Sequence, residues 1–351
     1  MKNKLWFTIL LAFTILLLFA SFYTLPYYVQ KPGNAFVLDD IVEVENGTES
    51  EGDFSLMTVS QIKANVFSYL WALMDEYQII YPVDQVRAPH ESEDEYSVRQ
   101  LYLMDNSAQQ AIEVAYKQAG ADLSYEYNGI YVLNIYPGMP AEKILKAGDR
   151  ITSIDEHIFQ SSEEFIDYVG GKKKGDSITV TIERDNQVFD ENLTLQSFPD
   201  NPEQIGLGIS LVDDRNVQSD PQVLIDSSGI GGPSAGLMYS LEIYDQLIPE
   251  DLTKGYNIAG TGTISSDGEV GRIGGIEQKV IAADRQGIEI FLAPDDTIPE
   301  DVAAEDPDAV SNYRAAVKTA EEIGTDMQII PVKTFEDALK YLLLLEKKSS
   351  S

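Results

Sequence analysis

The sequence lacks one residue type on which many enzymes depend and is poor in another. Its 351 residues contain no cysteine and only two histidines, His90 and His157. Without cysteine, disulfides, thiolate metal sites and a cysteine nucleophile are excluded. A Ser-His-Asp triad would need one of the histidines, and a histidine-based zinc site would need both. Each histidine lies in a polar segment typical of a solvated loop or turn, so we expect no metal, no cofactor and no histidine-dependent active site.

Basic residues are also scarce. The chain has 25 Lys and Arg against 58 Asp and Glu, which gives a formal net charge of −33. A protein with this charge repels the phosphate backbone of nucleic acids. The sequence also contains no GxxxxGK[ST] pattern, the phosphate-binding loop of many ATPases. We therefore expect neither nucleic acid nor ATP as a partner.

One long uncharged run, residues 5–30, is longer than the ~20 residues that cross a bilayer. Lys2 and Lys4 precede it, so the positive-inside rule predicts a cytoplasmic N-terminus and an extracellular remainder. A cleaved signal peptide is the alternative, although the run is long for one and "FASFY" is a weak cleavage site. We predict a single-pass cell-membrane anchor within residues 1–30 and a short linker to a first strand near Ala35. Aromatic residues lie near the two ends of the run, where interfacial residues belong: Trp6, Tyr23, Tyr27 and Tyr28.

Residues 34–120 contain strand-like and helix-like patterns. Residues 34–62 comprise two apolar runs around an acidic turn, which predicts a hairpin. Residues 58–77 and 97–120 carry apolar side chains at helical spacing, and the second pattern ends at Gly120.

Residues 121–199 form short alternating strands around one helix, and the stretch "PAEKILKAGDRITSID" resembles a PDZ domain of the circularly permuted bacterial type. The resemblance implies a peptide-binding groove, which we place at residues 127–132. There Gly129 would let backbone amides converge on a terminal carboxylate, and Ile130, Tyr131 and Val132 would offer a strand edge. The alternative is an ordinary interior strand.

The segment "GIGGPSAGLMYSLEIYDQL" places Ser234 at the predicted first turn of an amphipathic helix. Pro233 pre-sets the backbone of that turn, and the free amides of a helix start can face a bound group. We expect oxyanion donors among the amides of residues 232–235, with Gly232, Pro233 and Ala235 lining the approach of the substrate. A serine hydroxyl becomes a nucleophile only when a base lies within hydrogen-bond reach.

Lys279 is the candidate base, 45 residues further along the chain in "GGIEQKVIAADRQG". It falls on the apolar stripe of a predicted helix, together with Ile276, Val280 and Ala283. Burial would lower the pKa of the lysine, so that its neutral amine could accept the proton of the serine. Each feature alone has a structural explanation, because glycine-rich helix starts are common and lysines on apolar faces usually reach water. The combination is far more specific.

The segments "GGPSAG" and "IAGTGTISSDGEVGRIGGIEQKVIAADRQGIEIFLAP" resemble the proteolytic domain of Lon-type (S16) serine peptidases, over residues 221–345. The resemblance implies a catalytic dyad of Ser234 and Lys279. A threonine that the family often places before a glycine is Ala259 here, and Thr261 or Thr263 could substitute for it. The arrangement of anchor, PDZ domain and peptidase is similar to the membrane-anchored PDZ/Lon-like peptidases of Gram-positive bacteria, the SepM/YlbL type.

This resemblance implies an α/β (α+β) Lon-type proteolytic domain with an inserted PDZ domain, preceded by one transmembrane helix. The expected divisions are an anchor at 1–30, the N-terminal part of the Lon-like domain at 34–120, the PDZ domain at 121–199 and the proteolytic domain at 200–346. "GDFSLMTV" would then pair with later strands. The expected function is ATP-independent cleavage of secreted or membrane-associated peptides and unfolded proteins outside the cell, with substrate recruited by the PDZ domain. A catalytically silent peptide-binding scaffold is the alternative, and a homo-oligomeric ring is possible for the family.

Overall fold

The computed structural model describes residues 2–199, 201–305 and 307–349. Within these residues the helices are, in chain order, α1 (Lys2–Phe22), α2 (Val66–Ala72), α3 (Val83–Val86), α4 (Glu93–Ala119), α5 (Ser162–Gly170), α6 (Gly236–Leu247), α7 (Ile276–Arg285), α8 (Glu300–Glu305), α9 (Asn312–Ile323) and α10 (Phe335–Leu344). The strands are β1 (Thr24–Val37), β2 (Val42–Val44), β3 (Asp53–Asn65), β4 (Ile79–Pro82), β5 (Asp122–Ile135), β6 (Arg150–Ile154), β7 (Ser177–Arg184), β8 (Gln187–Thr194), β9 (Gln196–Ser197), β10 (Ile205–Gly206), β11 (Ile209–Asp220), β12 (Val223–Ile225), β13 (Asn257–Gly260), β14 (Thr263–Ile264), β15 (Val270–Gly271), β16 (Ile290–Pro294) and β17 (Gln328–Val332).

The larger sheet combines strands from both ends of the chain, in the order β17-β16-β13-β3-β1-β4. Strand β3 pairs in parallel with β13, from Asp53 opposite Asn257 to Leu56 opposite Gly260, as predicted for "GDFSLMTV". Successive residues of a strand point to opposite faces of the sheet. Leu56 accordingly enters a core with α4, α6 and α10, whereas Met57 enters a second core with α7 and α9. The sheet is therefore covered by helices on both faces.

The second sheet, in the order β11-β5-β6-β7-β8, is antiparallel and has its own hydrophobic core with α5. The chain leaves the first domain along β5 and returns along β11. These two strands pair from Asp122 opposite Asp220 to Ile135 opposite Ile209. The segment between α4 and β12 is therefore inserted into the Lon-like chain, with its exit and return side by side. The N-terminus of α5 is capped by Ser161, whose side chain accepts a hydrogen bond from the Glu164 amide.

The N-terminal apolar run divides into two elements. Helix α1 ends at Phe22, and Lys4–Phe22 is long and apolar enough to cross a membrane. Strand β1 begins at Thr24, and its Tyr28 is only 5% exposed. The prediction that the anchor fills residues 1–30 is therefore too long, and Tyr28 is a sheet residue instead of an interfacial one. There is likewise no linker before Ala35, because β1 begins at Thr24, two residues after α1 ends, and already contains residues 31–35.

The predicted hairpin and helices of the next region are partly correct. Strands β1 and β3 do pair antiparallel, but the short strand β2 lies between them in the chain and pairs with β12. The helix predicted over residues 58–77 is wrong for its first half, because β3 continues to Asn65. That residue then caps α2 in a reciprocal capping box with Ser68. Helix α4 ends as predicted, with Gly120 in the left-handed conformation at φ 69°.

Candidate active site

Ser234 lies at the end of a glycine-rich loop, two residues before α6 begins at Gly236. The serine is held by the helix behind it, because Leu237, Met238 and Leu241 are fully buried in the core. Gly236, the first residue of α6, serves close packing. A Cβ there would lie 2.5 Å from Ile264 Cγ2 and 2.7 Å from Ser107 Oγ. The packing of α6 in the core thus fixes the position of the loop that carries Ser234.

Lys279 approaches Ser234 from the first turn of α7, whose N-cap is Gly275 at φ 70°. The lysine is 2% exposed. Its Nζ donates hydrogen bonds to Ser234 Oγ at 2.7 Å and to Thr261 Oγ1 at 2.8 Å. The nitrogen-to-oxygen distance falls within the 2.6–3.2 Å expected of a nucleophile and its base. The structure therefore brings together the two residues that the sequence pattern paired.

Burial changes the acid-base chemistry of this lysine. Desolvation, which penalises the charged ammonium, lowers the pKa of Lys279 to about 7. Both hydrogen-bond partners are neutral hydroxyls, so no carboxylate restores the charged form. An appreciable fraction of the amine is consequently uncharged near neutral pH and able to accept a proton.

Thr261 supplies the second hydroxyl that contacts Lys279. It is fully buried, and its Oγ1 donates to the Ser234 carbonyl oxygen at 3.1 Å. Because that hydroxyl hydrogen is committed, the oxygen is left to accept from Lys279. An N–H of the lysine is thereby directed at Thr261, so that in the neutral amine the lone pair can face Ser234 Oγ and accept from it. Of the two threonines considered in place of Ala259, Thr261 is the one that contacts Lys279. The sequence feature that indicated it is its position directly before a glycine, Gly262.

A cleft of about 860 Å³ leads to the dyad. One wall is formed by β1, β3 and the N-terminal half of α4, and the other by the glycine-rich loop and residues 272–274. Ser234 and Lys279 both line this cleft. The serine hydroxyl is therefore open to a bound chain although the lysine behind it is almost inaccessible to water.

The oxyanion donors differ in part from the prediction. The amide of Gly232 donates to the Gln100 carbonyl oxygen at 2.8 Å, so it is occupied by α4. Pro233 has no N–H to donate. Within the described residues, the amides of Ser234 and Ala235 donate to no protein acceptor. Of the expected residues 232–235, only these last two supply free donors. The sequence did not reveal this, because Gln100 is far away along the chain.

The predicted peptide groove at residues 127–132 is wrong, and the alternative of an interior strand is correct. Strand β5 has β11 on one side and β6 on the other, and Ile130 and Val132 are fully buried. Gly129 serves close packing between strands, because a Cβ would lie 2.4 Å from the Ile151 carbonyl oxygen. Tyr131 pairs across the strand with Arg150. The edge of this sheet next to α5 is formed instead by β11, which contacts that helix.

Comparison with known proteins agrees with this division of the chain. Residues 228–345 match the Lon protease (S16) C-terminal proteolytic domain, and residues 118–195 match the PDZ domain. The Lon protease of Campylobacter concisus is 36% identical over 117 residues, which are 33% of this chain and 12% of that protein. The Lon protease of Azospirillum brasilense is 36% identical over 115 residues, with the same shares. The alignment thus spans about an eighth of each of these relatives.

Among solved structures, the PDZ domain of the SdrC-like protein from Listeria monocytogenes is 36% identical. The match covers 25% of this chain and 90% of that domain, with a TM-score of 0.23. The matches of residues 118–195 and 228–345 show that the chain contains a PDZ domain and the C-terminal proteolytic domain of Lon-type S16 serine peptidases, and one N-terminal helix before them is long and apolar enough to cross a membrane.

Proposed function

We propose that the chain is an ATP-independent serine endopeptidase in which Ser234 is the nucleophile and Lys279 the general base. The observation that carries the proposal is the 2.7 Å contact between Lys279 Nζ and Ser234 Oγ at the base of an open cleft. The shared domain with Lon proteases supports the same reaction class. No described feature of the site requires a metal or a cofactor.

In the proposed reaction the neutral Lys279 amine takes the hydroxyl proton of Ser234 as Oγ attacks a peptide carbonyl carbon. The amides of Ser234 and Ala235 stabilise the negative charge that develops on the carbonyl oxygen. The lysine ammonium then protonates the departing amine as the peptide C–N bond breaks. Water then attacks the ester carbonyl carbon while Lys279 accepts its proton, and Lys279 returns that proton to Ser234 Oγ as the ester C–O bond breaks, which restores the serine.

The proposed substrates are secreted or membrane-associated peptides and unfolded proteins. The sequence contains no phosphate-binding loop, so the proposal assigns no unfolding step to ATP. The cleft lies close to the proposed anchor, because Gln30 lines it and is only eight residues from Phe22, where α1 ends. An extended chain covers at most about 3.5 Å per residue, so this separation is no more than about 28 Å.

The proposed topology places the N-terminus in the cytoplasm and the peptidase outside the cell membrane, as Lys2 and Lys4 at the start of α1 favour. This is the arrangement of the membrane-anchored type from Gram-positive bacteria that the sequence resembles. Protease added to intact, wall-stripped cells should digest the peptidase domain. Protection of the domain would reverse the topology.

The PDZ domain is proposed to recruit substrate. Because β5 is interior, the candidate docking edge is the free edge of β11 beside α5. An extended peptide would add to that edge by backbone hydrogen bonds. A homo-oligomeric ring is compatible with this arrangement, and measurement of the protein's mass in solution would test it.

The decisive experiment compares Ser234→Ala with wild type, both as purified full-length protein and in the peptides that cells secrete. We expect peptide cleavage to fall at least about 10³-fold, since the nucleophile is removed. The matched control is Ser228→Ala, which alters an exposed serine of the same loop. Equal peptide patterns in wild type and Ser234→Ala would instead support the catalytically silent scaffold.

A further inference from the structure

Helix α2 presents an apolar face to the outside of the molecule. Phe67, Leu70, Trp71 and Met74 are 44%, 52%, 61% and 76% exposed. The spacing of three and four residues places Phe67, Leu70 and Trp71 on one side of α2, and Met74 continues the patch in the turn after the helix ends at Ala72. Leu73, which is 63% exposed, extends the same patch. A patch of large apolar side chains on so short an element is expected only where something else covers it.

The opposite side of α2 fixes the direction of this face. Ala72 is buried, and Tyr69 packs with it against Val29 and Ala64 of the sheet. The helix start is defined by the capping box of Asn65. The outward orientation of the apolar side chains is therefore built into the fold of the domain.

The face lies where α1 joins the domain. Asn65, the last residue of β3, pairs with Thr24, the first residue of β1. Paired Cα atoms in antiparallel strands lie about 5 Å apart. Helix α2 therefore starts beside the end of α1, and the two helices contact each other. Any bilayer that α1 crosses has its surface at the level of α2.

The chemistry of the face suits a lipid surface. Residues 66–74, "VFSYLWALM", contain no charged side chain, and Asp75 and Glu76 follow immediately. Attraction to anionic headgroups is thus absent from the face, and apolar insertion has to supply the binding. Tryptophan favours the boundary between headgroups and acyl chains.

We propose that residues 67–74 form a second membrane contact that inserts into the interfacial layer of the bilayer. This proposal rests on the proposed membrane-spanning role of α1. It gives the two strands of the cleft wall separate attachments, with β1 leaving α1 and β3 entering α2. The cleft is then held in one orientation to the membrane surface instead of turning about a single tether.

The two tryptophans of the chain allow a direct test, because one lies in each helix. The full chain is placed in phosphatidylcholine vesicles with brominated or ordinary acyl chains. In Trp6→Phe the remaining Trp71 reports α2, and in Trp71→Phe the remaining Trp6 reports α1. We expect bromine to quench Trp71 emission at least about twofold, with a blue shift, and to quench Trp6 as well.

Quenching of Trp6 without quenching of Trp71 would overturn the contact by α2 while leaving the anchor intact. Absence of both would overturn the two together. Quenching of Trp71 only in vesicles with anionic lipid would refute apolar insertion. A blue shift that grows with protein concentration and ignores bromine would identify a protein interface instead.

A second pair of variants, made in the Trp6→Phe background, separates insertion from general damage. Leu70→Gln adds a polar group to the face, and we expect it to reduce the quenching of Trp71 about twofold. The matched control, Ile166→Gln, changes an equally exposed residue of α5 in the PDZ domain. It should leave the quenching unchanged. Equal quenching in the two variants would contradict the proposal.

Discussion

Lys279 of the proteolytic domain and Asp149 of the PDZ domain are buried to the same degree, at 2% and 1% exposure, but have opposite surroundings. Asp149 accepts two hydrogen bonds from the Arg184 side chain, at 2.5 and 2.6 Å, and one from the Lys146 amide. Among the described residues, the Lys279 amine has only hydroxyls as hydrogen-bond partners. A counter-charge compensates part of the desolvation cost of a buried charge, whereas burial of a lysine without one favours the neutral amine.

The absence of a counter-charge does not by itself make a buried group catalytic, as two carboxyl groups of α6 show. Burial raises the pKa of Glu242 well above its usual range and that of Asp245 to about 6. Glu242 accepts a hydrogen bond from the Gln246 side chain, and neither carboxyl lines the cleft. Lys279 differs in being next to a hydroxyl that a substrate can reach. Access therefore has to accompany the perturbed pKa before a catalytic role is assigned.

The largest expected effect separates a base from a mere positive charge at position 279. In Lys279→Arg the guanidinium remains protonated and cannot take the proton of Ser234. We expect kcat/KM for a short peptide to fall at least about 10³-fold while the circular dichroism spectrum is kept. Lys318→Arg, at an exposed lysine of α9, is the matched control and should match wild type. Activity near the wild-type value in Lys279→Arg would assign the proton to another group.

The next effect concerns the PDZ side of the comparison. Asp149→Ala removes the carboxylate that pairs with Arg184, whose side chain is 23% exposed, and hydrogen bonds between charged groups of this kind typically contribute about 2 kcal/mol. We expect the PDZ unfolding transition to move to lower denaturant concentration. Cleavage of a short peptide that needs no recruitment should stay within about twofold of wild type. A parallel loss of peptide cleavage would show that Asp149 also supports the dyad.

The contact between Ser234 and Lys279 could be predicted from the sequence because its signals are local. Gly-Pro-Ser before an apolar helix and a lysine on an apolar stripe are both visible within single helical turns. The errors arose where distant segments compete for the same groups. The Gly232 amide is taken by Gln100 of α4, and β5 becomes an interior strand only when β11 returns beside it. Similarly, nothing local marks where the apolar run of α1 becomes the buried strand β1.

The smallest expected effect is a gain in stability when Lys279 is replaced by methionine, which has a similar volume and no charge. The unfolded chain has a lysine pKa of about 10.4, against about 7 in the fold. Between these values the unfolded state binds more protons, so the stability of the wild type rises with pH across this window. Below pH 7 the full free-energy penalty for burying the charged lysine is present, and above about pH 10.4 the penalty disappears.

We therefore expect Lys279→Met to be more stable than wild type at pH 7, by at least about 1 kcal/mol. The advantage should shrink toward zero near pH 10, as measured by urea unfolding of both proteins. The same titration should make wild-type kcat/KM rise through pH 7 to a plateau. Lys318→Met, at an exposed lysine, should show no such dependence on pH. An advantage of Lys279→Met that does not change with pH would mean that packing, and not the buried amine, separates the two proteins.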